Sequence, residues 1–168
     1  MIIYISGGAR SGKSRYAMEL ALEKSSDPVY VATARIWDED FGQRVERHRQ
    51  ERGPEWALFE CEQDLHLLPL TGRTAVIDCV TLWLTSLFMA HDQDIDSALA
   101  AFKTEINAIA KMQGTFIIIS NEIGMGVHAE TEVGRKFTDL QGWANQYVAA
   151  LAGEAVFMVS GLPLILKK

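Results

Sequence analysis

Short apolar runs alternate with longer stretches of helical spacing along this chain. Ile2-Ile3-Tyr4-Ile5 is β-branched and aromatic, which suits a strand buried on both faces. Residues 14–23 follow with Tyr16, Ala17, Leu20 and Ala21 at helical spacing. Ser25-Ser26-Asp27-Pro28 is a turn cluster, and Val29-Tyr30-Val31-Ala32 reads as a second strand. From Asp38 to about Arg52 the chain is polar, which predicts an exposed helix capped by Asp38 and ended by Gly53-Pro54. Trp56-Ala57-Leu58-Phe59 predicts a short strand closed by Glu60, and 64–68 a brief helical piece. Thr74-Ala75-Val76-Ile77 predicts a buried strand ending in Asp78. Helices are predicted over 81–90 and about 95–112, split by a polar stretch at 91–94, with Gly114 as the stop. Residues 115–120 form the most apolar strand, and Asn121-Glu122-Ile123-Gly124-Met125-Gly126 a loop. A helix over 130–151 and a strand over 155–159 complete the pattern, leaving Leu164-Ile165-Leu166 as a short tail.

Strands alternating with helices predict an α/β fold, with a mainly parallel sheet covered by helices on both faces. No linker, repeat or low-complexity segment interrupts it, so residues 1–168 are expected to form a single domain. Right-handed crossovers would place Gly7, Thr33, Glu60, Asp78, Asn121 and Gly161 on one edge of the sheet, where open parallel sheets bind ligands.

The formal net charge of −6 argues against nucleic acid as a partner. Arginines nonetheless crowd one segment, at Arg44, Arg47, Arg49 and Arg52. Cys61 and Cys79 stand apart with no metal-ligand spacing, and both are expected to stay reduced. No apolar run approaches the roughly 18 residues of a membrane span, and the chain opens directly on a strand without room for a leader. A cytoplasmic protein without a membrane span is expected.

Gly7-Gly8-Ala9-Arg10-Ser11-Gly12-Lys13-Ser14 matches G-x-x-x-x-G-K-[ST] between a predicted strand and a predicted helix. Such a loop curls so that successive N–H groups point at a phosphate. Lys13 reaches the outer phosphates from a helix N-terminus that itself favours anions. Ser14 is placed to ligate Mg²⁺, and Asp78, ending an apolar strand, is the carboxylate that such a site needs for the same ion. A glycine-rich turn that binds nothing is the competing reading; the flanking strand and helix weigh against it. Thr33, Ala34 and Arg35, just past a strand end, are further candidates for the nucleotide site.

His48 lies between Arg44 and Arg52 at i−4 and i+4 on one helix face. A solvated face balanced by Glu46 and Glu51 accounts for the cluster. So does a nucleophile, since neutral imidazole attacks phosphorus and the resulting phosphoramidate passes its group onward. On the residues alone the surface reading is the commoner one. His66, His91 and His128 carry no such context. Glu122 suits either a substrate- or metal-orienting role or a cap for the next helix, and Trp37, Trp56, Trp83 and Trp143 suit packing.

Taken together, the opening strand with its loop through Arg15, Tyr30-Val31-Ala32-Thr33-Ala34, the stretch from Arg44 through His48 to Trp56, Asp78-Cys79-Val80-Thr81, Asn121-Glu122-Ile123-Gly124-Met125-Gly126 and Val159-Ser160-Gly161 resemble the bifunctional adenosylcobinamide kinase/adenosylcobinamide-phosphate guanylyltransferase family. The likeness runs through essentially the whole chain, in order. It implies a P-loop, RecA-like fold, trimeric assembly and two reactions. A nucleoside triphosphate, GTP or ATP, phosphorylates the aminopropanol hydroxyl of adenosylcobinamide. GTP then guanylylates a histidine, and the GMP passes to adenosylcobinamide phosphate to give adenosylcobinamide-GDP in adenosylcobalamin synthesis. The matching histidine is His48. The nucleotide contacts implied are Gly7, Gly8, Ala9, Arg10, Ser11, Gly12, Lys13, Ser14, Thr33, Ala34, Arg35, Arg49, Gln50, Glu51, Arg52, Glu60 and Asp78, with Ser14 and Asp78 on Mg²⁺. The chain departs from the family pattern at Val127-His128-Ala129-Glu130, where Val-Pro-Glu is usual, and at Thr138-Asp139, where Arg-Asp is common. Both lie in the segment expected to help form the corrinoid side. A plain P-loop kinase, with His48 incidental, needs only Lys13, Ser14 and Asp78. A nucleotide switch would usually carry Asn-Lys-x-Asp, which is absent.

Overall fold

The computed structural model describes residues 1–33 and 53–168. Among these the chain forms β1 (Ile2–Gly7), α1 (Lys13–Lys24), β2 (Val29–Ala32), β3 (Ala57–Glu60), a 3₁₀ turn (Leu65–Leu67), β4 (Thr74–Asp78), α2 (Val80–Ala90), α3 (Ile95–Lys111), β5 (Thr115–Ile119), α4 (Glu132–Leu151), β6 (Glu154–Val159) and β7 (Leu162–Lys167). The predicted helix at 38–52 lies outside the described residues. One seven-stranded sheet runs β3-β2-β4-β5-β1-β6-β7. Every pairing is parallel except β6 with β7.

The two-residue period of β1 divides the core. Ile2 and Tyr4 point into one apolar layer with Trp83, Phe102, Phe116 and Leu140, beneath α2, α3 and α4. Ile3 and Ile5 point into the other, against Ala17 and Ala21 of α1. Trp83 is fully buried and meets Phe102 edge-on at 4.9 Å between ring centroids, a packing role like the one expected of it. Because β1 to β6 run parallel, their carboxyl ends lie along one edge, with Asp78, Ala32 and Glu60 side by side across β4, β2 and β3.

The expected tail at 164–166 is instead part of a strand. Ser160 (φ 52°) and Gly161 (φ 82°) both take positive φ, the geometry of a tight hairpin turn, and the chain returns antiparallel beside β6. Pro163 and the exposure of all six β7 residues obscured it, since proline is tolerated only on an edge strand such as this one.

Candidate active site

The loop between β1 and α1 owes its shape to positions that only glycine fills comfortably. At Gly7 (φ 149°) a Cβ would lie 2.5 Å from the Met158 carbonyl oxygen. Gly12 (φ 94°) caps α1 with its own Cβ position 3.3 Å from Gly161 Cα. The β6–β7 turn therefore closes on the loop, and Gly161 N donates to the Ser11 carbonyl at 3.0 Å. Between them opens a cavity of about 530 Å³ lined by residues Arg10 to Arg15 with Ser160 and Gly161.

Lys13 is buried at the floor of this cavity, its ammonium donating to the Gly8 carbonyl at 2.5 Å and to Ser11 Oγ at 3.5 Å. Burial pushes its pKa down, and the charge of Asp78 opposes that shift. Ser14 Oγ donates to Asp78 Oδ2 at 2.8 Å, and the Tyr30 hydroxyl donates to the same oxygen at 2.6 Å. Tyr30 reaches it because β2 lies directly beside β4, in register with Ala32 opposite Asp78. Trp56 holds the Tyr30 ring edge-on at 6.1 Å.

Ser14, which lines the cavity, and Asp78, bonded to it, are hard oxygen donors beside the loop. That set fits Mg²⁺, which takes one or two protein oxygens and completes its shell with water and substrate phosphates. Among the described residues no group of three or more His, Cys, Asp or Glu gathers into an alternative metal site.

Thr33 sits at the end of β2, fully buried. Its hydroxyl accepts from Cys79 N and donates to Cys79 O, each at 2.7 Å, so it secures the turn that follows Asp78. Glu60 is exposed at the end of β3 on the same sheet edge. Ala34, Arg35, Arg44, His48, Arg49, Gln50, Glu51 and Arg52 lie outside the described residues. Glu122 does not cap α4. Thr131 does, accepting from Gly134 N at 3.0 Å, while Glu122 accepts from Gly124 N at 2.8 Å and bends its own loop.

The model of the cobinamide kinase / cobinamide phosphate guanyltransferase (CobU) family matches residues 3–166. The chain belongs to this family. It is accordingly a bifunctional kinase and guanyltransferase of adenosylcobalamin biosynthesis, with a nucleotide-binding P-loop. Two bifunctional adenosylcobalamin biosynthesis proteins are similar to it along nearly their whole length. CobP of Pseudomonas aeruginosa is 38% identical over 97% of this chain and 95% of its own. CobU of Escherichia coli is 34% identical over 99% and 100%. The flagellar accessory protein FlaH of Methanocaldococcus jannaschii shares the fold alone, at 14% identity and a TM-score of 0.51 over 99% of this chain and 77% of FlaH.

In this CobU-family chain the sequence reading missed the residues that support the site from behind. Tyr30 is one. The others join β5 to α4: Ser120 Oγ donates to Asn145 Oδ1 at 2.5 Å, and Gln141 Nε2 donates to both at 2.9 Å. Asn145 Nδ2 donates to the Asn121 carbonyl at 3.2 Å, and Asn121 Nδ2 to Thr81 Oγ1 at 2.9 Å. One signal was available: Gln141 and Asn145 sit at i, i+4 beside Leu140 and Ala144, polar residues on the buried face of a helix. Tyr4 ends beneath this network beside Ser120 and Ser6, its phenol pushed up to about 12 by burial.

Proposed function

We propose that this chain phosphorylates adenosylcobinamide at the P-loop and then guanylylates the product through His48. In the first step the acceptor hydroxyl oxygen attacks the γ-phosphorus, its proton passes to solvent, the bond to the β-bridging oxygen breaks, and the nucleoside diphosphate leaves. Lys13 and the loop N–H groups hold the phosphates, and the Ser14–Asp78 pair would hold Mg²⁺, which would supply neutralisation of the developing charge. Asp78 accepts no proton in this scheme; its work is to keep one carboxylate oxygen beside Ser14. In the second step a His48 nitrogen attacks the α-phosphorus of GTP and pyrophosphate leaves. A phosphate oxygen of adenosylcobinamide phosphate then displaces the imidazole to form adenosylcobinamide-GDP. Ala34, Arg35, Arg49, Gln50, Glu51, Arg52, Thr33 and Glu60 are assigned to the nucleotides by family resemblance, and a cytoplasmic trimer on the same ground.

The observation that carries the kinase half is the Ser14–Asp78 contact beside a buried Lys13 in a cavity lined by the P-loop. The guanylyl half is tested by intact mass after exposure to GTP and Mg²⁺. The parent should gain one GMP, lost in acid and kept in base as an N–P bond behaves, and His48→Asn should gain none while still phosphorylating adenosylcobinamide. A guanylylated His48→Asn would move the nucleophile elsewhere. A parent that phosphorylates the corrinoid but never takes up GMP would leave a plain kinase.

A further inference from the structure

The loop from β5 to α4 is fixed at its base and open at its tip. At the base Glu122 N donates to the Gly7 carbonyl at 3.0 Å, tying the loop to the first residue of the phosphate cradle. The Asn145–Asn121–Thr81 bonds hold it from the helix side. At the tip Ile123, Met125 and Val127 face water, Val127 at 97% exposure. Beneath the tip a cavity of about 240 Å³ opens against the first turns of α4, lined by Ile123, Val127, His128, Arg135, Thr138 and Asp139 among others. Arg135 is committed to the carbonyls of Ala129 and Glu130 and shapes the far wall. The side chains of His128 and Asp139 make no hydrogen bond or ion pair among the described residues.

We propose that this cavity and its apolar rim bind the corrinoid acceptor of the kinase step, a proposal that rests on the corrinoid-kinase reading of the P-loop. Three properties of such an acceptor match what the loop offers. Its macrocycle presents a broad apolar face, and Ile123, Met125 and Val127 form an exposed apolar ledge on a rigid base. Its rim carries primary amides and its cobalt–corrin centre a net positive charge. Asp139 accepts hydrogen bonds from the former and, with Glu122 and Glu130, attracts the latter. Its reactive hydroxyl sits on a side arm, and the bond from Glu122 to Gly7 keeps anything lodged on the loop within an arm's reach of the cradle. A cavity of about 240 Å³ is too small for the macrocycle itself. It takes one edge with its amide arms while the apolar face lies across Val127 and Ile123.

The test is equilibrium dialysis of hydroxocobinamide, read by its visible absorbance, against the full chain with a non-hydrolysable GTP analogue present. Val127→Asn removes the apolar contact at a position with no packing to lose, and should weaken cobinamide binding about tenfold. Asp139→Asn keeps the size and loses the charge, and should weaken it roughly fivefold. Affinity for the GTP analogue should stay within about twofold of the parent in both. If both variants bind cobinamide as the parent does, the acceptor site lies elsewhere and the kinase reading stands. If the parent binds the nucleotide but no cobinamide, the kinase reading fails and the site assignment with it.

Discussion

Ser14 and Asp78 are 64 residues apart in sequence, yet the Ser14 hydroxyl donates to Asp78 Oδ2 at 2.8 Å across the carboxyl edge of the sheet. The bond spans the two sides of the phosphate site, the start of α1 and the end of β4. A metal ion held here would take its protein oxygens from Ser14 and Asp78, the two groups that this hydrogen bond already brings together. Asp78→Asn keeps an oxygen that Ser14 and Tyr30 still donate to, so the fold survives. Turnover at saturating nucleotide should fall by about 100-fold, because the charge that holds the metal is gone. Titration calorimetry should show the loss in Mg²⁺ affinity, with metal-free nucleotide binding little changed. Parent-like turnover would reduce Asp78 to a strand-end carboxylate.

Tyr30 acts through Asp78. Its phenol donates to the oxygen that Ser14 also contacts, which fixes the carboxylate rotamer before any ligand arrives. Tyr30→Phe retains the ring against Trp56 and deletes only the hydroxyl. Affinity for Mn²⁺, read by its electron-spin resonance signal, should drop about tenfold while the Tm barely moves. Unchanged metal affinity would make the hydroxyl a bystander.

Lys13 has an ammonium that burial disfavours and that the Gly8 carbonyl and Asp78 jointly retain. Phosphate oxygens would add what the cavity floor lacks. Lys13→Ala removes a charge-assisted contact worth about 3 kcal/mol, so GTP affinity should fall roughly 100-fold. Relieving the buried charge offsets part of the lost hydrogen bonding, so stability should change little. Calorimetry of GTP binding beside a denaturant melt separates the two effects, and an unchanged affinity would remove the P-loop assignment.

How legible these parts were in sequence depended on whether their cause was local. The cradle from Gly7 to Ser14 was legible because its geometry is set by fixed glycines flanked by a strand and a helix. Asp78 was legible because a single carboxylate ends an apolar strand. Tyr30 was not, since a tyrosine inside Val29-Tyr30-Val31-Ala32 reads as core until β2 is known to lie against β4. β7 was missed for a different reason. Its apolar residues alternate with nothing, Pro163 interrupts them, and its pairing depends on two positive φ values at Ser160 and Gly161. His48 had a local cue in Arg44 and Arg52 at i−4 and i+4, but a solvated helix face explains that cue equally well, and its assignment as nucleophile came from family resemblance.

The two cysteines should differ sharply in reactivity. Burial pushes the Cys79 thiol up to about 12, with the neighbouring Asp78 charge adding to the shift. Cys61 is also raised by burial, but it is partly exposed at the edge of the core, where its Sγ donates to the Gln63 carbonyl. At pH 8 a disulfide reagent should label Cys61 slowly and leave Cys79 untouched until denaturant is added, as peptide mass mapping would show. Labelling of Cys79 in the native state would mean that the turn after Asp78 opens far more than its Thr33 bonds imply.

Asn145 and Gln141 belong to one buried network but should respond unequally to removal. Asn145 Oδ1 accepts from Ser120 and from Gln141, and its Nδ2 donates to the Asn121 carbonyl. Asn145→Ala therefore takes away the acceptor of the Ser120 hydroxyl proton and the donor to the Asn121 carbonyl, which costs about 1–3 kcal/mol in a buried setting. Gln141 only donates; among the described residues its buried Oε1 has no partner. Gln141→Leu removes that orphan along with its two donations, and Ser120 and Asn145 keep their bond to each other, so the change should stay below about 1 kcal/mol. Urea denaturation compares the two variants directly. The larger effect of Asn145→Ala should also reach function, because the Asn121 carbonyl it releases anchors the loop tied to Gly7. Phosphorylation of cobinamide should therefore weaken more than GTP affinity. Equal destabilisation by both substitutions would mean the network acts as generic packing, and an intact kinase in a destabilised Asn145→Ala would show that the loop is held by Glu122 alone.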